Sequence, residues 1–186
     1  MPILGIIASA ITGNLVTTSY ESIATVTVGS GGSASVSFSS IPATYTHLQI
    51  RAIAKSNGGQ DSLDLTFNGD TGGSQYTYHS LYGNGSSAGV DVSRPRANIP
   101  TDIVLVDSSN TSMFSAGVLD ILDYANVNKY KTTRVSSGFD LNGSGVKFLS
   151  SGLWMSTSAI TSITLTGRST NIGQYSSFAL YGIKGA

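Results

Sequence analysis

Leu48-Gln49-Ile50-Arg51-Ala52-Ile53-Ala54 carries Leu48, Ile50, Ala52 and Ala54 at every second position, with Gln49, Arg51 and Ile53 between them. A period of two puts the first set on one face of an extended strand, whereas a helix would scatter it around the axis. The same rhythm runs to both sides. Leu63, Leu65 and Phe67 alternate with Asp64 and Thr66 before the turn Asn68-Gly69-Asp70. Upstream, Ile23, Thr25 and Thr27 alternate with Ala24, Val26 and Val28; Gly29-Ser30-Gly31-Gly32 then leads into Val36 and Phe38, which predicts a hairpin with a glycine-rich loop. Downstream, Tyr76, Tyr78 and Ser80 alternate with Thr77, His79 and Leu81, and further strands are predicted at 103–106, 118–122, 132–136, 148–154, 160–165 and 177–183. Residues 83–100, with Asn84-Gly85, Arg94-Pro95-Arg96 and Pro100, read as the longest irregular piece, a loop expected to be functional or to contact a partner. Residues 123–131 hold either one helical turn or a polar crossover loop. A turn every 10 to 15 residues or so suits an antiparallel β-sandwich or jelly roll. The organisation expected is an apolar arm, 1–17, followed by a single all-β domain, 18–186.

The composition narrows the chemistry. Only 11% of the residues are charged, against about 25% in an ordinary soluble domain, and the formal net charge is zero. No basic field exists for nucleic acid and no polybasic cluster for anionic lipid. The absence of cysteine excludes disulfides and thiolate metal sites. The opening Met1-Pro2-Ile3-Leu4-Gly5-Ile6-Ile7-Ala8-Ser9-Ala10-Ile11 lacks the positive start of a signal peptide and is too short to span a bilayer. It reads as a docking arm, with Ile3, Leu4, Ile6, Ile7 and Ile11 as its contacts, or as a first strand of the domain's own sheet.

Each constellation with a chemical reading has a plainer one. Gly85-Ser86-Ser87-Ala88-Gly89 matches the G-x-S-x-G pattern, but a nucleophile elbow needs a strand before it, a helix after it and a parallel sheet below. Asp120, Asp123, Asn126 and Asn128 offer oxygen ligands of the kind Ca²⁺ takes, and Asn68-Gly69-Asp70-Thr71-Gly72-Gly73 looks similar. Both are as readily turns whose Asp and Asn bond their own backbone. Asp61, Asp64, Asp91, Asp102, Asp107, Asp120 and Asp123 could supply a glycosidase pair, yet spacing singles out none. The sequons at Asn84, Asn110 and Asn142 are expected by chance in so serine-rich a chain. Trp154 among apolar neighbours reads as a core anchor. Tyr76, Tyr78 and Tyr82, with Arg94 and Arg96 in the long loop, form the candidate ligand or partner surface, against the alternative that alternate tyrosines fill the sheet. No catalytic residue, cofactor or metal is assigned.

The opening residues 1–9, Asp120-Ile121-Leu122-Asp123-Tyr124-Ala125-Asn126, Ser151-Gly152-Leu153-Trp154-Met155 and the closing Phe178-Ala179-Leu180-Tyr181-Gly182-Ile183-Lys184-Gly185 carry a resemblance. They look like small virion proteins of tailed bacteriophages of aquatic bacteria, cyanophages among them. The resemblance implies a non-enzymatic structural protein in the virion. It would be a capsid decoration or cement protein anchored by its arm, or a tail-fibre or receptor-binding module recognising host glycan. Its partners would be the major capsid protein or tail components and its own copies in a homotrimer. No nucleic acid and no membrane insertion is expected.

Overall fold

The computed structural model describes residues 19–110 and 112–184. Among these it holds twelve strands and no helix. They are β1 (Tyr20–Thr27), β2 (Ser35–Phe38), β3 (His47–Ala54), β4 (Asp61–Phe67), β5 (Tyr76–Gly83), β6 (Ala88–Arg96), β7 (Ile99–Leu105), β8 (Ser115–Leu122), β9 (Lys131–Asp140), β10 (Gly145–Trp154), β11 (Ile163–Gly167) and β12 (Ser177–Ile183). All their ladders are antiparallel, and they form two sheets, β1-β12-β3-β8-β9-β10-β5-β6 and β2-β11-β4-β7. The chain is an antiparallel β-sandwich, as its alternation predicts. The arm 1–17 with Ile3, Leu4, Ile6, Ile7 and Ile11, and Thr111 of the second sequon, lie outside the described residues.

Eight strands form a weave. From β1 to β4, and again through β7, β8, β11 and β12, each strand lies in the opposite sheet from the one before it. The facing orders β1-β12-β3-β8 and β2-β11-β4-β7 are those of a jelly roll. Two hairpins interrupt the weave, β5–β6 after β4 and β9–β10 after β8. Both join the large sheet, and β5 pairs with β10, so these four strands continue the sheet beyond β8.

The core follows from the alternation. Leu48 and Ile50 of β3, Leu63, Leu65 and Phe67 of β4, Ile103 and Leu105 of β7, and Phe178 and Leu180 of β12 are all fully buried. Each such aliphatic side chain contributes about 1.5–3 kcal/mol on leaving water. Trp154 anchors one end of this core. Its ring lies 5.5 Å from Phe67 and is stacked at 6.4 Å on Tyr76, and its Nε1–H donates to Asp70 Oδ2 at 2.8 Å.

Two local expectations are corrected, and the choice left open at residues 123–131 falls to the loop. The 23–38 hairpin does not form: β1 pairs with β12, and β2 pairs with β11 in the other sheet. The glycine turn instead carries the chain across the sandwich. Gly32 sits at φ +77°, and a Cβ there would stand 2.7 Å from the Ile172 carbonyl oxygen. Residues 83–100 are mostly strand; only a short loop after Gly83 separates β5 from β6, and Ile99 already belongs to β7. Residues 123–131 form no helical turn. They fold over the buried Lys131, whose ammonium donates to the carbonyls of Asn126, Lys129 and Thr157 at 2.7, 2.7 and 3.1 Å.

Candidate functional site

A strand in a sandwich turns alternate side chains away from the core. In the large sheet the register aligns these outward residues in rows across the strands. One row runs Tyr181, Gln49, Asp120, Arg134, Ser151, His79, Val92. The next runs Ala179, Arg51, Val118, Ser136, Leu149, Leu81, Val90. Cross-strand neighbours lie about 5 Å apart, within reach of one another.

The two ends of these rows differ in kind. At the β12-β3-β8 end, Gln49 Nε2 donates to Asp120 Oδ1 at 2.8 Å and Arg51 Nε donates to Gln49 Oε1 at 3.0 Å. The Arg51 guanidinium lies over the rings of Tyr181 and Tyr20 at 5.3 and 5.8 Å, within cation–π range. That polar half is bonded to itself. At the β10-β5-β6 end, Leu149, Leu81, Val90 and Val92 are 53%, 51%, 79% and 53% exposed. They floor an open groove of about 840 Å³, with Asp120, Arg134 and Arg94 among its charged lining residues. Apolar side chains standing together in solvent, rimmed by charge, mark a contact surface.

The strands that form the groove are fastened to the small sheet by one carboxylate. Asp102 sits at an irregularity of β7 with φ +54°, a conformation Asp adopts more readily than most residues. Its Oδ2 accepts from Tyr78 Oη at 2.6 Å, from Ser80 Oγ at 2.7 Å and from Ser150 Oγ, while Ser137 Oγ donates to its backbone carbonyl. Donors from β5, β9 and β10 thus converge on β7. Burial, reinforced by the hydrogen bond to this carboxylate, pushes the Tyr78 hydroxyl well above the usual phenol range. His79 follows Tyr78 on β5 and faces outward, so the cluster has hydroxyls and a carboxylate but no imidazole on its side of the sheet. It is a clamp in chemical terms, not a relay.

The residues singled out from sequence do not meet in one place. Tyr76 is fully buried; its hydroxyl donates to the Asp70 carbonyl at 2.9 Å, accepts from the Phe67 amide at 3.1 Å, and is pushed up to about 12 by burial. Tyr78 is buried on Asp102. Tyr82 is half-buried, 5.9 Å from the Phe148 ring and packed over Gly89, where a Cβ would meet its ring at 2.5 Å. Arg96 is held by Ser93 Oγ at 3.1 Å and by Asn98. Arg94 alone of the five lines the groove. The groove's Leu81, Val90, Val92 and Leu149 were not singled out. Val90-Asp91-Val92 does alternate, but the glycines before it and Arg94-Pro95 after it mask the strand.

The other candidates have structural partners. Ser87 lies in the β5–β6 loop, where Asn84 Oδ1 accepts from the Ser86 and Ser87 amides at 3.0 and 2.9 Å and from Ser87 Oγ. Asp61 accepts from the amides of Ser169 and Thr170 at 2.6 and 2.9 Å; burial raises its carboxyl, but these bonds outweigh that and hold it below its ordinary value. Asp64 pairs with Arg168 at 2.9 Å and Asp107 accepts from the Ser109 amide at 2.7 Å. Asp123 is held below its ordinary value by Lys129, whose Nζ lies 2.6 Å from it. Asn68 Oδ1 accepts from the amides of Thr161 and Ser162 at 2.8 and 3.1 Å, so the Asn68–Gly73 stretch staples β4 to the residues before β11. Among the described residues no three His, Cys, Asp or Glu side chains gather as a metal site. The chain matches no protein-family model and no curated protein.

Proposed function

We propose that this protein is a non-enzymatic structural protein on the exterior of a tailed-phage particle, a capsid decoration or cement protein attached through residues 1–17. The resemblance of the opening, central and closing segments to small virion proteins suggests the particle. The observation that carries a docking role is the groove of exposed Leu81, Val90, Val92 and Leu149 on a sheet extended past its core. A non-enzymatic reading is supported by the occupation of the acidic residues, since Asp61, Asp64, Asp102, Asp107, Asp120 and Asp123 each serve a fold contact. A homotrimer on the particle, with other virion proteins as partners, belongs to the same proposal.

A second reading is a receptor-binding module for host glycan. The aromatic surface in its favour is Tyr20 and Tyr181 flanking Arg51, since Tyr76 and Tyr78 are buried. Aromatic faces beside hydrogen-bonding groups suit sugar rings.

The test is co-sedimentation of the purified chain, intact and lacking residues 1–12, with capsids stripped of it. Binding that depends on residues 1–12 is expected. Absence of binding by either form overturns the decoration reading, and glycan binding lost on Arg51→Ala would then favour the second.

A further inference from the structure

Among the described residues β6 is the outermost strand of the large sheet, with β5 on one side and no strand on the other. Among these residues the backbone N–H and C=O groups along that outer side have no ladder partner. Val90 and Val92 stand beside them in solvent. An open strand edge bordered by apolar side chains is the receiving half of strand addition, in which the backbone supplies affinity and the side chains select the partner.

The chain carries a complement to this surface. Residues 3–11, Ile3-Leu4-Gly5-Ile6-Ile7-Ala8-Ser9-Ala10-Ile11, hold no charge, so no ion is desolvated when they lie on apolar surface. They are nine residues long, as is β6. They precede β1, which is the opposite edge of the same sheet. The two edges are seven strand spacings apart, roughly 34 Å at about 4.8 Å each. To reach the groove of its own molecule, the segment would cross the strands over Gln49, Arg51 and Asp120, with its backbone groups unmatched and that bonded polar half covered. A segment from a second copy runs along β6 and avoids that face.

We propose that residues 3–11 of one copy add as a strand to β6 of a second copy, with their apolar side chains packed beside Val90 and Val92 at the edge of its groove. This rests on the docking role given above to residues 1–17 but assigns residues 3–11 to another copy of this chain, so that their effect on particle binding runs through assembly. The donor segment and the receiving edge are different surfaces, so each contact is heterologous and closes either as a reciprocal exchange between two copies or as a ring. Copies linked in this way would bind a particle together, because each attachment raises the effective concentration of the next.

The test is the mass of the full chain in solution, by native mass spectrometry and sedimentation velocity, with no particle present. The full chain is expected to be an oligomer. The chain lacking residues 1–12 and the full-length Val90→Glu variant are both expected to be folded monomers that keep a single cooperative thermal transition. Val127→Glu, at an exposed valine in the β8–β9 loop away from the groove, is expected to leave the mass unaltered. A synthetic peptide of residues 1–12 is expected to bind the shortened chain, and to bind the shortened chain carrying Val90→Glu at least tenfold more weakly. If Val90→Glu abolishes the cooperative transition, Val92→Lys replaces it. A monomeric full chain overturns the proposal, as does an oligomer that survives either loss of residues 1–12 or the groove substitution. Peptide binding alongside a monomeric full chain assigns the groove to the molecule's own segment and overturns it equally. A chain that assembles as proposed but fails to sediment with capsids overturns the particle reading alone.

Discussion

β3 and β6 are antiparallel strands of one sheet, eight and nine residues long, yet they live in different surroundings. β3 lies between β12 and β8, and its Leu48, Ile50, Ala52 and Ala54 enter the core. β6 lies at the end of the sheet, and its residues are exposed or half-buried on both faces. The sequence of β3 is explained by the fold it stabilises. Val90 and Val92 are not, because a strand with solvent on both faces gains nothing from valine over threonine except β propensity. The comparison separates residues the sandwich needs from residues it does not enclose.

The separation can be broken most forcefully from the core side. Phe67→Ala removes a fully buried ring in contact with Trp154 and Tyr76, and is expected to cost about 3–5 kcal/mol, read as a lower denaturant midpoint with an unchanged slope. Asp102→Ala comes next. It strands the hydroxyls of Tyr78, Ser80 and Ser150 and is expected to cost about 2–4 kcal/mol. Its signature is local: amide exchange should quicken in β5 and β10 while β3 and β4 stay protected. Equal acceleration everywhere would mean that the added strands and the weave unfold as one unit.

Asp61 gives a smaller, pH-dependent effect. Its carboxyl lies below its ordinary value in the folded chain, so the folded state releases its proton more readily than the unfolded one. The stabilisation is complete above the unfolded value near 4 and is lost as pH falls through the lower folded value. Asp61→Asn should therefore cost about 1 kcal/mol at pH 7, and the gap to the unsubstituted chain should narrow toward pH 3 in parallel denaturation curves. The smallest effect is expected in the groove. Leu81→Ser and Val90→Glu should change stability by no more than about 0.5 kcal/mol, since neither side chain is enclosed. A loss as large as that of Phe67→Ala would show that the groove belongs to the core after all.

What could be read from the sequence tracks this division. Leu48–Ala54 and Leu63–Phe67 declare themselves because one face of each is buried and the other is not, and alternation is the trace of that difference. β6 has no such asymmetry, and Gly89 and Pro95 within it resemble loop residues, so it passes for irregular chain. The pairing of β1 with β12 leaves no local trace either: a strand's own residues report that one face is covered, not which strand lies beside it. The tyrosines were legible in one of their two readings. Tyr76 and Tyr78 alternate as residues that fill the sheet, and their hydroxyls are bonded inside, to the Asp70 carbonyl and to Asp102. Asp102 was visible only as one acid among many, because its three donors come from strands β5 and β10, distant in sequence.

The position of β12 sets a timetable. β1 needs it as a neighbour, and the register joins Tyr20 to Ile183, almost the whole length of the chain. At a synthesis rate of about 5–20 residues per second, β1 waits roughly ten to thirty seconds on the ribosome before its partner exists. Pairings between residues so distant in sequence also form slowly once synthesis is complete. During that interval Ile23, Ala24 and Val26, which the finished sandwich packs against its core, are open to any other unpaired strand. In a cell making many copies at once, the yield of this protein is decided by how long its first strand can be kept from the wrong neighbour.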